Sequence, residues 1–258
     1  MNSKFTRLWA TKNKDDEWWS SFITSPLAIG LNYLVIDIKW LTPNLITLIS
    51  FITAIISVLF IIAGGTTCFL IAALLINLSH VFDCMDGQMS RYRRTSSPTG
   101  SYFDKLTDQI QVILWFGAIA YAAFIQSQSV VPVFLAFTGV AFYSLRGYIK
   151  YVAIHTNMSA DNRYLDKLSE IEHRAGIKET AGPGFSIRAN LRWFMAEQKK
   201  LFRFDEGVFI FMLSLALVLD MLTPMLWLFA VSQLFYGFFR GLQATSRFGE
   251  NATIPIEK

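Results

Sequence analysis

Residues 44–63 read NLITLISFITAIISVLFIIA, an uncharged apolar run closed by Gly64-Gly65. At ~1.5 Å of rise per residue, a helix of this length matches the ~30 Å hydrocarbon core of a bilayer. Similar runs follow at about 67–85, 105–126, 130–153, 207–221 and 224–243, the last two split by Leu222-Thr223-Pro224. The pattern predicts an all-α integral membrane fold with six transmembrane helices. The composition agrees, with 53% hydrophobic and 16% charged residues.

Residues 18–40, WWSSFITSPLAIGLNYLVIDIKW, are shorter, interrupted by Pro26 and flanked by Trp. They read as an N-terminal amphipathic helix lying in the membrane interface, with a seventh crossing as the alternative. The expected organisation is residues 1–40 as cytosolic N-terminus and interfacial helix, 41–245 as one six-span domain, and 246–258 as a cytosolic tail. Residues 156–204 form a polar insert within that domain. The N-terminus lacks the apolar core of a signal peptide, so it is expected to be retained.

All 23 Lys and Arg lie at the N-terminus, in 84–105, in 146–203 or near the C-terminus. The turns IAGGTT, QSQS and DMLT carry none. By the positive-inside rule the basic segments and both termini face the cytoplasm. The net charge of +4 comes with no basic, aromatic-rich patch outside the membrane boundaries, so it does not point to nucleic acid. Cys68 and Cys84 stand in apolar context and suggest neither a disulfide framework nor a Cys-rich metal site.

The insert has a Gly-Pro-Gly break at 182–184 between two helix-like stretches, DNRYLDKLSEIEHRAG and SIRANLRWFMAEQKKLF. The second mixes Trp193, Phe194 and Phe202 with Arg188, Arg192, Lys199 and Lys200. It reads either as a basic amphipathic helix on an anionic membrane surface or as an ordinary solvated connector.

The segment FDCMDGQMSRYRRTSSPTGSYFDKLTDQI, residues 82–110, places Asp83, Asp86, Asp104 and Asp108 where two spans meet. Carboxylates at such a place are costly to bury and mark function. Asp83 lies near the cytosolic edge of the second span. Asp83 and Asp86 are i,i+3, and Asp104 and Asp108 are i,i+4, so each pair shares a helix face. A turn at Pro98–Gly100 lets the two helices run antiparallel and the pairs face each other. Four such carboxylates repel unless they are protonated or held by cations. Oxygen-only ligands select hard ions, here Mg²⁺ or Mn²⁺ rather than zinc, although His80 is near. Ions held this way bridge phosphates, which points to a diphosphate substrate. Gly87 costs ~1 kcal/mol against Ala in a helix and leaves room for a ligand. Arg91, one turn on, can meet phosphate oxygens in a fork. Taken singly, Asp83 reads as an interface charge, Gly87 as a packing glycine and Arg91 as a snorkelling boundary residue; these readings do not explain four acids together.

This stretch resembles the CDP-alcohol phosphotransferases, whose pattern is D-x-x-D-G-x-x-A-R, eight residues, then G-x-x-x-D-x-x-x-D. Asp83, Asp86, Gly87, Ser90, Arg91, Gly100, Asp104 and Asp108 fall on that spacing. Ser90 departs from the usual Ala; it is small and can bond back to a helix carbonyl. Thr42-Pro43-Asn44 and Thr47 are similar to the T-P-N-x-x-T start of the family's first span. The resemblance covers roughly residues 40–245.

The resemblance implies transfer of a substituted phosphoryl group from a CDP-linked donor to an alcohol, with release of CMP. It implies metal ligation by Asp83, Asp86 and Asp104, with Asp108 completing a second metal site and acting as the base. It implies a CDP pocket lined by Gly87, Arg91 and Gly100, contact of Thr47 with the nucleotide, and a homodimer. Arg146 and Lys150, i,i+4 at the cytosolic end of the fourth span, can bind a phosphate on a polar acceptor; snorkelling at the membrane boundary is the bland alternative. This pair and the N-terminal lead-in favour CDP-diacylglycerol with a phosphorylated polyol. Transfer from CDP-choline or CDP-ethanolamine to diacylglycerol is the alternative within the family. An ion- or proton-coupled transporter also buries acids, but near mid-bilayer or in broken helices. An aspartate-rich prenyltransferase usually shows D-D-x-x-D pairs, which are missing from this sequence.

Overall fold

The structure is a computed structural model that describes residues 3–13, 17–167, 170 and 186–249. Regular structure among the described residues is helical. A short α1 (Lys4–Trp9) and a π-helical turn (Ser20–Thr24) precede α2 (Ser25–Val35). The long helices follow as α3 (Pro43–Ala63), α4 (Thr66–Arg93), α5 (Pro98–Ser127) and α6 (Val131–Ala160). Then come α7 (Ile187–Glu197), a 3₁₀ turn (Gln198–Arg203), α8 (Glu206–Val218) and α9 (Leu222–Gly249).

Local chemistry sets the boundaries. Thr42 caps α3 by accepting from the Leu45 N–H, and Pro43 occupies the first turn, where its missing N–H costs nothing. Gly64 and Gly65 take φ of 72° and 85°, backbone open to glycine, and reverse the chain into α4. Arg94 ends α4 in the left-handed region, and Ser97 caps α5 from the Gly100 N–H, again with Pro at the start. The short link from Arg94 to Ser97 folds the two halves of the aspartate segment onto adjacent helices.

Among the described residues, four helices are long and apolar enough to cross a membrane: α3, α4, α5 and residues Leu222–Gln243 of α9. Ser20–Val35 and Glu206–Val218 are shorter apolar helices. α6 is 30 residues long, but its charges begin at Arg146. The expected run at 67–85 is thus the front of a helix that reaches Arg93, which carries Arg91 on regular structure. The expected run at 105–126 begins earlier, at Pro98.

The stretch expected as one interfacial helix runs helical without a break from Trp18 to Val35, with a π-helical turn at Ser20–Thr24, and Pro26 falls in the first turn of α2 rather than breaking it. α2 turns Ser25, Ala28, Ile29 and Asn32 inward and leaves Leu27, Leu31 and Leu34 exposed. Asn32 donates to the Met85 carbonyl at 2.9 Å, and Gln88 donates to Ser25, so polar bonds fasten α2 to α4. The Gly-Pro-Gly break and half of the first helical stretch of the insert lie outside the described residues, as do residues 250–258 of the expected tail.

Small and hydroxylated side chains let the long helices approach. Ser50 and Ser79 join α3 to α4, and Trp115 of α5 donates to Ser57 of α3 at 2.7 Å. A Cβ on Gly139 of α6 would stand 2.3 Å from a ring carbon of Phe229, and one on Gly237 would stand 2.8 Å from Phe142. Such close packing is what holds helices together where lipid removes the hydrophobic contrast. Phe116, Phe209 and Phe229 stack at the centre of the main apolar cluster. A smaller cluster, with Leu8, Ile29 and Met89, sits beneath the end of α4.

Candidate active site

The C-terminal end of α4 and the start of α5 bring the aspartates together. Asp83, Asp104 and Asp108 each offer a carboxylate oxygen, all within 4.8 Å of one another. Asp86 stands on the adjoining side of α4, buried, and accepts a hydrogen bond from the Thr47 hydroxyl. Thr47 also donates to the Pro43 carbonyl at 3.2 Å, so the first turns of α3 fix it. Lys105 is the nearest cation: its Nζ lies 3.2 Å from Asp104 and 3.6 Å from Asp108. One ammonium against four carboxylates leaves an excess of negative charge. Oxygen donors at this separation could hold a metal ion.

Beside the acids opens a cavity of about 660 Å³. Thr47, Asp86, Gly87, Arg91, Gly100 and Asp104 line it, with Ser90 alongside. Asp83 and Asp108 stand outside this lining, toward α8. The two glycines are close-approach positions. A Cβ on Gly100 would lie 3.0 Å from Asn44 Oδ1, and one on Gly87 would lie 3.2 Å from Arg91 Nη1. Ser90 bonds Ser96 at 3.0 Å, tying the α4–α5 link to the helix rather than bonding back to its own backbone.

Several residues at the site were not singled out from the sequence. Arg93 makes four hydrogen bonds to the carbonyls of Ile36, Ile38 and Leu41, and so shapes the chain that enters α3. Glu206 opens α8, and its carboxylate meets His80 and Asp83 within 4.8 Å. His80 is buried, with Nε2 3.0 Å from the Ser20 hydroxyl and Nδ1 3.7 Å from Glu206. An acid opening an apolar run, in RFDEGVFIF, is the signal that could have found Glu206. Glu17 accepts from the Gly207 N–H at 3.2 Å. Its burial, with Glu206 and Asp205 nearby, pushes the Glu17 carboxyl up to about 8.

Arg146 is engaged with the chain itself. It donates to the Arg203 carbonyl and to Gln233 Oε1, and lies 3.4 Å from Asp205. It therefore clamps the connector that delivers Glu206. Lys150, one turn further along α6, is exposed.

A helical pair bearing this acid spacing, joined to a cavity at the membrane end of four apolar helices, defines a class of membrane enzyme. The family model for CDP-alcohol phosphatidyltransferase matches residues 40–172. The chain belongs to the CDP-alcohol phosphatidyltransferase family, a family of transferases in phospholipid synthesis, and is an integral membrane protein. It is 28% identical over 102 residues to cholinephosphotransferase 1 of Xenopus laevis, a match over 36% of this chain and 25% of that protein. The chain thus spans about a quarter of the length of that relative. Its fold is similar to that of phosphatidylinositol phosphate synthase from Mycobacterium tuberculosis, solved with CDP-DAG bound. The TM-score is 0.50, with 17% identity, over 92% of this chain and 98% of that one.

Proposed function

We propose that the protein transfers a substituted phosphoryl group from a CDP-linked donor to the hydroxyl of a small polar alcohol and releases CMP. CDP-diacylglycerol is the favoured donor. The observation that carries this reading is the cavity lined by Thr47, Asp86, Gly87, Arg91, Gly100 and Asp104, set against the Asp83–Asp104–Asp108 cluster. Its volume of about 660 Å³ suits a nucleotide diphosphate head.

In this reading Asp83, Asp86 and Asp104 hold Mg²⁺ or Mn²⁺, and Asp108 completes a second ion site. A bound divalent cation there supplies charge compensation for the diphosphate and for departing CMP. Arg91 pairs with phosphate oxygens, and Thr47, Gly87 and Gly100 admit the nucleotide. Asp108 takes the proton of the attacking hydroxyl. The alcohol oxygen bonds to the phosphorus that carries the lipid, the bond from that phosphorus to the bridging oxygen breaks, and CMP leaves with that oxygen. Lys150 offers positive charge to a phosphorylated acceptor, while Arg146, one turn before it, holds the connector through Arg203, Gln233 and Asp205. The likeness to phosphatidylinositol phosphate synthase supports this choice of donor and acceptor.

The same reading places six spans in the membrane, α3 to α6, α8 and α9, after an N-terminal interfacial segment. The domain limits are 1–40, 41–245 with the insert at 156–204, and 246–258. Both termini and the acids face the cytoplasm, where the basic segments gather. The enzyme works as a homodimer.

A second reading within the family moves phosphocholine or phosphoethanolamine from its CDP ester to diacylglycerol. The match to cholinephosphotransferase 1 favours it. One experiment separates the two: purified protein is offered labelled CDP donors with candidate alcohols, and CMP release is scored with and without chelator. CMP release from CDP-diacylglycerol with a polyol phosphate supports the first reading. Release only with CDP-choline and diacylglycerol selects the second, and no release from any CDP donor overturns both.

A further inference from the structure

Helix α7 has two apolar faces with different neighbours. Trp193 and Phe194 turn inward, Trp193 edge-on to Phe22 at 5.7 Å and Phe194 edge-on to Trp18 at 5.4 Å. A second row, Ile187, Leu191 and Met195, repeats every four residues and stands 88%, 60% and 61% exposed. Arg188 and Arg192 each follow a member of that row by one position, so they border it on the side away from the protein, and both are exposed. Glu197, the acid of this helix, is half-buried on the inner side.

An apolar row edged by arginines matches the chemistry of a membrane interface. The acyl boundary takes the aliphatic side chains, and headgroup phosphates take the guanidinium groups. The position agrees. α7 rests on the aromatic lead-in at Trp18 and Phe22, and its C-terminal end passes through the 3₁₀ turn into Asp205 and Glu206. It therefore lies at the level where α8 begins, at the acid-bearing ends of the spans. A second copy of the chain is the competing occupant. Across a two-fold axis it would set the same arginines near each other without an opposing acid on that face.

We propose that α7 lies on an anionic lipid surface, with Ile187, Leu191 and Met195 in the acyl boundary and Arg188 and Arg192 on lipid phosphates. The proposal goes beyond the phosphotransferase reading and uses only the residence of the chain in a membrane.

The test uses the full-length protein with photoreactive p-benzoylphenylalanine in place of Leu191. It is reconstituted in nanodiscs of phosphatidylcholine, alone or with one third phosphatidylglycerol, illuminated, and analysed by mass spectrometry. A second protein carries the label at Met195, so that a single poorly tolerated site does not decide the result. Lipid adducts are expected at both positions, enriched in phosphatidylglycerol beyond its share in the mixed discs. Arg188→Gln and Arg192→Gln should reduce that enrichment by up to roughly fivefold per arginine. The proposal is overturned by labels that yield no lipid adduct, by adducts to a second copy instead of lipid, or by an enrichment indifferent to both arginines.

Discussion

Arg91 donates through Nε to the main-chain oxygen of Thr11 at 2.8 Å, while its Nη1 rests 3.2 Å from where a Cβ on Gly87 would stand. The N-terminal segment thereby fixes how a cavity-lining arginine points. Its own anchors are the buried Leu8, the Lys4–Asp37 ion pair and Arg7 over the Tyr92 ring at 5.0 Å.

Deleting residues 1–12 should weaken binding of a CDP donor while leaving the helices folded. Arg91→Lys keeps the charge but loses the planar fork, and donor affinity should fall about tenfold to a hundredfold. Calorimetry on each variant with a CDP donor checks both. Unchanged affinity on deletion would show that Arg91 needs no help from Thr11.

Asp108→Asn preserves shape and removes the basic oxygen. Donor binding should survive, because Asp83, Asp86 and Asp104 remain, while the chemical step slows by roughly 10²–10⁴-fold. Asp83→Asn should lose donor binding and turnover together. Donor affinity and CMP release measured side by side decide the roles: near-normal turnover in Asp108→Asn removes it as the base.

Neutralising Lys150 as Lys150→Gln should raise the acceptor KM and leave donor binding unchanged. Arg146→Gln should behave differently. It removes a charged donor from the Arg203 carbonyl, which keeps Gln233 at 3.4 Å, and from Asp205, which keeps Arg203 at 3.6 Å, at a cost of about 1–2 kcal/mol in stability. Thermal melts alongside acceptor titrations separate the two effects.

The Glu17 carboxyl, at about 8 in the folded chain against 4.5 in the unfolded one, carries a proton that the unfolded chain has lost. Its contribution to stability is therefore complete below the unfolded value and is lost as pH rises through about 8. Glu17→Gln keeps an acceptor for Gly207 and removes the titration. Melting temperatures in detergent should fall with rising pH in the native chain and stay flatter in the variant. Parallel curves would place the titration elsewhere.

Gly207→Ala would put a Cβ 2.4 Å from Ser20 Oγ and 3.1 Å from the Ser20 backbone nitrogen. Because backbone is in the way, the lead-in must shift. We expect a loss of about 1–3 kcal/mol in stability and a fall in turnover from displacement of Glu206, read by melting and by CMP release.

The runs that form α3, α4, α5 and Leu222–Gln243 of α9 were legible because lipid forces a crossing to declare itself in hydropathy over a continuous stretch. The aspartates were legible because their spacing is local: Asp83 to Asp108 fits on two helices and one short link. Glu206 lies 98 residues beyond Asp108 by chain number, and nothing local ties it to Asp83. The carbonyl of Thr11 carries no side-chain signature at all, so its hold on Arg91 was invisible in the sequence. Arg146 illustrates a third limit. Its i,i+4 relation to Lys150 suggested paired action, yet its guanidinium turns to Arg203, Gln233 and Asp205, partners on other elements.

Glu17 and Gly207 meet across a separation of 190 residues. The ribosome therefore delivers one half of this contact long before the other. At ~5–20 residues per second, the N-terminal lead-in waits about 10–40 s for α8. Through much of that interval the acids of α4 and α5 are already synthesised, but α8, which carries Glu206, is not yet made. The cluster of His80, Asp83 and Glu206 is therefore completed late in synthesis, when the lead-in at Glu17 meets α8.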